Sequence, residues 1–359
     1  MIEKIFRFGL VASLLIAFGP RGYAVAADMD FPAVATNADE TLTIASVTDL
    51  EAIRPMIEGF QRHYPGIAVH YRESESSSLD VATSQACKED RFLADLIISS
   101  SVPQQVALVN NGCAQKVDAA SASLLPAWAR WRSELVGLTA EPAVIVYNKK
   151  AFEELPVPDD RFELIDLLRK SDRFVGKIGS YNIATSGVGY FFAFEDAAQA
   201  STWGRIIEAF GRNRVQFYCC TSDILDRVAD GRLSIGYNVL GSYTLSRVET
   251  DNRIGVIFPS DYTLVMTRAA LISRQAVAPG AANKFLAFAL SPEGKSILEK
   301  KMHFFSAVDG VDKLSELAPG EGNSIRPIAL TPTLIIALDK EKRRVFLEQW
   351  RKSVLVSGP

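Results

Sequence analysis

Side chains able to hold a small charged molecule gather in this sequence at a few short segments, each between an apolar β-branched run and a helical pattern. They are Thr48-Asp49, Ser76-Ser77-Ser78, Ser99-Ser100-Ser101, the stretch NIATSGVGY from Asn182 to Tyr190, and Tyr237-Asn238. Hydroxyls, amides and the unpaired N–H groups of a helix's first turn suit a carboxylate or phosphate-like oxygen, because a helix start carries partial positive charge. The strongest of these is Thr185-Ser186-Gly187, where two hydroxyls precede glycines that let a ligand approach the backbone closely. Each segment also has a structural reading. Thr48 or Asp49 serves as an N-cap, Ser77 and Ser78 as a surface turn, Ser100 and Ser101 as the cap before Pro103, and Tyr237 as a buried strand end whose neighbour Asn238 bonds both ways.

Other chemistry is poorly supplied. The chain lacks a GxSxG elbow and an HExxH pair, and its three histidines, His63, His70 and His303, lie far from any serine that would make an obvious triad. No enzyme is expected. None of these histidines sits at ligand spacing from a cysteine, so neither a metal site nor a cofactor is expected. Acidic pairs such as Asp159-Asp160 and Glu153-Glu154 read as solvated charge. The four cysteines, Cys87, Cys113, Cys219 and Cys220, allow three pairings. We expect Cys87 with Cys113, because the strand and helix between them fold back as one βα unit; a loop of about 25 residues closed in this way contributes on the order of 3 kcal/mol. Cys219-Cys220 follows a strand and precedes the helix cap Thr221-Ser222, which places it at a strand end. It reads either as a vicinal disulfide near a ligand cleft or as two cysteines that fill space.

The elements that position these segments alternate. Strands are expected at Thr41–Ser46, Ile67–Tyr71, Ala94–Ser99, Ala143–Tyr147, Lys177–Ile183, Val215–Tyr218, Leu233–Tyr237 and Thr263–Thr267, separated by helical patterns such as Glu51–Tyr64 and Pro103–Asn110. Three helical segments close the chain, at Ala281–Leu290, Pro292–Lys301 and Asp339–Leu355. The alternation predicts α/β lobes with a sheet wrapped by helices. Ligands of such sheets lie beyond the carboxyl ends of the strands, where the polar segments fall. Residues 1–26 read as a secretory signal: Lys4 and Arg7 precede about 11 apolar residues, short of the roughly 20 that a spanning helix needs, and Ala24-Val25-Ala26 supplies a cleavage pattern. Cleavage near Ala26 and a periplasmic location follow, where cysteines pair readily. The remaining chain of about 330 residues exceeds what one core usually organises. The expected division is a polar leader over 27–40, a first lobe from 41–145 and 266–359, and a second from 146–265. Apolar content of 48%, 23% charged residues and a formal charge of −3 fit a folded protein and give no reason to expect nucleic acid.

Five segments, TLTIASVTDLEAIRPMIEGFQRHYPGIAVHY (41–71), ADLIISS (94–100), PAVIVYNKKAF (142–152), GRLSIGYNVLGSY (231–243) and AANKFLAFALSPEGKSILEK (281–300), occur in an order that resembles the periplasmic solute-binding proteins of ABC importers. The likeness is to the branch that includes ferric-iron, polyamine and phosphonate binders. It implies a type II fold, with two α/β lobes joined by two crossing strands and closing on ligand by a hinge. It also places Ser77 and Ser78 against the ligand, and implies a monomer that captures a small solute and hands it to a membrane permease. A sensor subunit that presents the same ligand to a histidine kinase is the alternative. Ferric members of the group use a tandem tyrosine pair where this chain reads NVLGSY, with Gly241 and Ser242 in the pair's place and Tyr243 alone beside them. That departure favours an oxyanion such as a carboxylate or phosphonate over ferric iron.

Overall fold

The computed structural model describes residues 28–35, 40–199, 201–317 and 325–355. The expected signal segment, 1–26, lies outside them. Two sheets wrapped by helices form two lobes. In the first, β1 (Asp28–Phe31), β2 (Glu40–Ser46), β3 (Ile67–Glu73) and β4 (Leu96–Ser99) lie in the order β1-β3-β2-β4. β2 runs parallel to both β3 and β4. Every residue of β4 is buried, as expected of a strand covered on both faces. Between the strands run α1 (Leu50–His63) and α2 (Ser76–Lys88), with α3 (Val102–Asn110) after β4. α1 buries Ile53, Met56, Ile57 and Phe60, the three- and four-residue spacing of one helix face.

The chain leaves the first sheet through β5 (Leu135–Gly137) and enters the second as β6 (Thr139–Asn148), turning at Leu138. The second sheet adds β7 (Ile178–Tyr181), β8 (Gln216–Tyr218), β9 (Ile235–Leu240), β10 (Ile254–Ile257) and β11 (Thr263–Met266). β7 is parallel to β8 and β9, while β6 is antiparallel to β9, β10 and β11. Its helices are α4 (Arg161–Lys170), α5 (Gly187–Gln199), α6 (Trp203–Arg212), α7 (Thr221–Ala229) and α8 (Gly241–Thr250). The return is through β12 (Ala269–Ser273), which pairs antiparallel with β4 and β5. The two crossings are bonded to each other: the Leu138 amide donates to the Arg268 carbonyl at 2.9 Å, and the Arg268 amide to the Thr139 hydroxyl at 2.9 Å. Helices α9 (Pro279–Leu290) and α10 (Pro292–Lys301) then pack on α1.

Four expectations are corrected. The leader is not merely polar, since β1 pairs with β3 and tucks Phe31 against the first core. The second lobe starts at Thr139 rather than 146, because the strand expected from Ala143 extends four residues further toward the amino end, and the return crossing falls at Thr267-Arg268. The C-terminal helix α11 (Lys340–Leu355) belongs to the second lobe: Phe346 stacks on Trp203 at 5.8 Å and Trp350 meets Phe217 at 4.6 Å. An amphipathic pattern marks which face is buried but not which lobe it covers. Finally, Ser76-Ser77-Ser78 is the first turn of α2 and not a loop before it.

Candidate functional site

The carboxyl ends of β2, β3 and β4 open directly into α1, α2 and α3, and those of β7, β8 and β9 into α5, α7 and α8. On the first lobe, the α1 start is capped by neither expected residue. Glu73 takes the Leu50 amide at 2.8 Å, which leaves Asp49 exposed and free to accept the Tyr243 hydroxyl from α8 at 2.6 Å. Burial and the nearby Asp49 carboxylate outweigh Arg268 and push the Tyr243 phenol up, so it donates as a neutral group. Thr48 is buried; its amide bonds Ser46 and its carbonyl accepts from Tyr71. Ser99 accepts the Ser101 amide at 3.0 Å, which buries Ser100 and Ser101 in the tight entry to α3. Ser77 and Ser78 are exposed on the first turn of α2, while Ser76 is half-buried.

On the second lobe, Asn182 accepts the Ala184 amide and Ser186 the Gly189 amide, so the β7–α5 turn is built by its own side chains. Thr185 is exposed and donates at 3.4 Å to the Asn182 carbonyl. Gly187 begins α5 beside the opposite lobe: a Cβ there would stand 3.5 Å from the Ser101 hydroxyl and 4.0 Å from Ser76. The lobes therefore meet where the first turns of α2, α3 and α5 converge. Tyr237 and Asn238 do not join them. β9 continues to Leu240 through an irregularity between Gly236 and Val239, with Asn238 in the left-handed region at φ 57° that Asn tolerates better than most residues. This turns both side chains inward, and the true strand end is Gly241 to Tyr243.

Two buried arginines were invisible in the sequence pattern. Arg268, at the return crossing, pairs with Glu141 of β6 at 2.8 Å and donates to Thr48 at 3.0 Å; Glu141 also accepts Ser242 of α8 at 2.7 Å and Thr139 at 2.9 Å. One network thus spans both crossings, the β2–α1 turn and the β9–α8 turn. Burial alone would lower the Arg268 guanidinium, but the Glu141 carboxylate outweighs it and holds the charge. Arg161 lies wholly inside the second lobe. It donates to Tyr237 at 2.8 Å, Asp261 at 2.9 Å and the Tyr262 carbonyl at 2.6 Å, and stands 3.5 Å from Asp196. Asp196 also accepts Tyr262, Tyr237 and Asn238, so the last two hold the lobe together.

The sulfurs of Cys87 and Cys113 are bonded, as are those of Cys219 and Cys220, and no described cysteine is free. Cys87–Cys113 ties the end of α2 to the turn after α3. Cys219 and Cys220 are exposed at the end of the edge strand β8. With Asp223 they are the one group of potential metal ligands within 4.8 Å of one another among the described residues, but bonded sulfurs offer no thiolate. No helix among the described residues is long and apolar enough to cross a membrane.

Two α/β lobes joined by paired crossing strands, with helix starts facing one another across the gap, define a type II periplasmic binding protein. A family model described as bacterial extracellular solute-binding protein matches residues 42–301, and the chain belongs to that family, the solute-capturing components of ABC transporters rather than enzymes. A substrate-binding protein of an ABC transporter from Agrobacterium tumefaciens is 34% identical, covering 93% of this chain and all of its own, with a TM-score of 0.83. Iron-bound HitA from Pseudomonas aeruginosa shares the fold at 18% identity and TM-score 0.65, over 87% of this chain and 99% of its own. AfuA from Actinobacillus pleuropneumoniae, with fructose-6-phosphate bound, shares it at 13% identity and TM-score 0.68, over 89% and 100%. No curated protein matches the chain.

Proposed function

We propose that this protein is exported to the periplasm, with its signal removed near Ala26, and captures a small oxyanion-bearing solute between its lobes for delivery to an ABC permease. The observation that carries the reading is the convergence of the α2, α3 and α5 first turns at Ser76, Ser101 and Gly187, where backbone donors and partial positive charge from both lobes meet. A carboxylate, phosphonate or phosphate ester satisfies donors from both sides and so favours the closed arrangement. The differential affinity for closed over open lobes is what drives closure.

Ferric iron fits less well. The phenol that remains, Tyr243, is neutral and bonded to Asp49, and Gly241 and Ser242 supply no second phenolate. The sugar phosphate seen on AfuA is the neighbour's ligand whose chemistry these donors suit better. The site residues of this reading are Ser100, Ser101, Thr185, Ser186 and Gly187, with Thr48, Asp49, Ser77 and Ser78 at its margin. A thermal-shift screen of carboxylates, phosphonates, phosphate esters, polyamines and metals checks it. A solute at 100 times its dissociation constant adds about 2.7 kcal/mol of stability. Stabilisation by oxyanions is expected; stabilisation by ferric iron or polyamines with no response to oxyanions contradicts the ligand class.

A further inference from the structure

Asp80 lies one helical turn beyond Ser76 on α2, so the two share a face, and that face looks toward the place where Ser101 and Gly187 of opposite lobes meet. The Ser101 hydroxyl bonds its carboxylate and favours the charged form. Its Oδ1 is fully buried and has no hydrogen-bond partner among the described residues. A buried carboxylate oxygen left unpaired forfeits its hydration without return, so this one calls for a hydrogen-bond donor. The Ser101 amide is spent on Ser99, and the Ser186 oxygen accepts the Gly189 amide at the α5 start.

Resting on the oxyanion reading above, we infer that Asp80 Oδ1, set beside Ser101 and the α5 start, selects a solute that carries a hydrogen-bond donor next to its oxyanion. The helix starts take the anionic oxygens; Asp80 takes a hydroxyl or ammonium proton from the adjacent carbon. A solute without that donor leaves the oxygen unpaired and binds more weakly, a form of discrimination that apolar contact cannot match. Burial pushes the Asp80 carboxyl up to about 7 against the opposing effect of Ser101.

Titration of the full mature protein with paired probes tests this. Glycerol 3-phosphate is set against propyl phosphate and glycerate against propionate, so that each pair keeps the oxyanion and loses the donor. The wild type is expected to prefer the donor-bearing member of at least one pair by tenfold or more. Asp80→Leu removes that preference, bringing the two members of each pair within about threefold of each other. Asp80→Asn, which keeps the shape and one acceptor, retains part of the preference and serves where the leucine variant does not fold. Equal binding of both members by the wild type, or a preference that survives in the leucine variant (or undiminished in the asparagine variant where leucine fails to fold), overturns the role of Asp80 while the oxyanion reading stands. No binding of either member of either pair overturns the oxyanion reading, and the Asp80 inference with it.

Discussion

The two buried arginines use the same chemistry for different ends. Arg161 is fully enclosed, and its partners, Tyr237, Asp261, Tyr262 and Asp196, all belong to the second lobe, so its network fixes the shape of a single body. Arg268 is 4% exposed and its network reaches Glu141 on one crossing strand, Thr48 on the first lobe and, through Glu141, Ser242 on the second. Opening the lobes need not disturb the first network but must strain the second. A buried ion pair is weak evidence for stability, yet removing one partner strands a charge in a dry site. The two arginines therefore predict similar losses of stability and different effects on lobe orientation.

The largest effect is expected from Arg161→Met, which strands both Asp196 and Asp261 and costs about 3–5 kcal/mol in urea unfolding. Solute affinity in the folded fraction and the radius of gyration in solution stay as in the wild type. Arg268→Met strands Glu141 with only Ser242 and Thr139 to bond it. A loss of about 3 kcal/mol is expected, accompanied by a changed radius of gyration. If both variants change the lobe arrangement alike, the distinction drawn here fails. Removing the Cys87–Cys113 bond by a double serine substitution costs about 3 kcal/mol for its separation of 26 residues. It sharpens the contrast as a stability loss confined to the first lobe, with lobe orientation unchanged.

Smaller effects follow at the cleft. The Asp80 carboxyl is raised in the folded protein, so the fold holds more protons than the unfolded chain between the ordinary carboxylate range and about 7. Its contribution to stability is fully present below that range and is lost as pH rises toward 7. Unfolding titrations from pH 4 to 8 should show this decline reduced in Asp80→Asn; an identical profile contradicts the assignment. Tyr243→Phe removes the direct bond to Asp49, worth about 1 kcal/mol. Unlike Arg161→Met, it should change the open-to-closed balance with little effect on unfolding.

The fold was legible where periodicity and punctuation agree. Pro65-Gly66 ends α1, Pro103 opens α3, and the β-branched runs become buried strands because both of their faces are covered. The loops at Ser99–Ser101 and Asn182–Gly187 were legible as strand-to-helix turns, and the structure brings Ser101 and Gly187 together. Tyr237 and Asn238 were misplaced because a bulge inside β9 leaves no mark in a pattern of alternating apolar residues. Arg161, Arg268 and Glu141 were missed for another reason. A charged residue reads as exposed unless its partner is known, and these partners lie 35 to 127 residues away. The interruption of the apolar run at Thr267-Arg268 was visible and marks the crossing itself. Asp80 sat beside a serine cluster read as a loop, and only the helical spacing from Ser76 turns it toward the other lobe.

The central claim, that solute is held where the first turns of the two lobes meet, is tested most directly by titrating the best oxyanion from the screen into wild type and Gly187→Leu. A leucine at 187 projects into the space bounded by Ser101 and Ser76, 3.5 and 4.0 Å from its first carbon, and wedges the lobes apart without entering either core. At least tenfold weaker binding is expected, about 1.4 kcal/mol, with unfolding in urea unchanged. Wild-type affinity in the leucine variant would place the solute elsewhere and contradict the account.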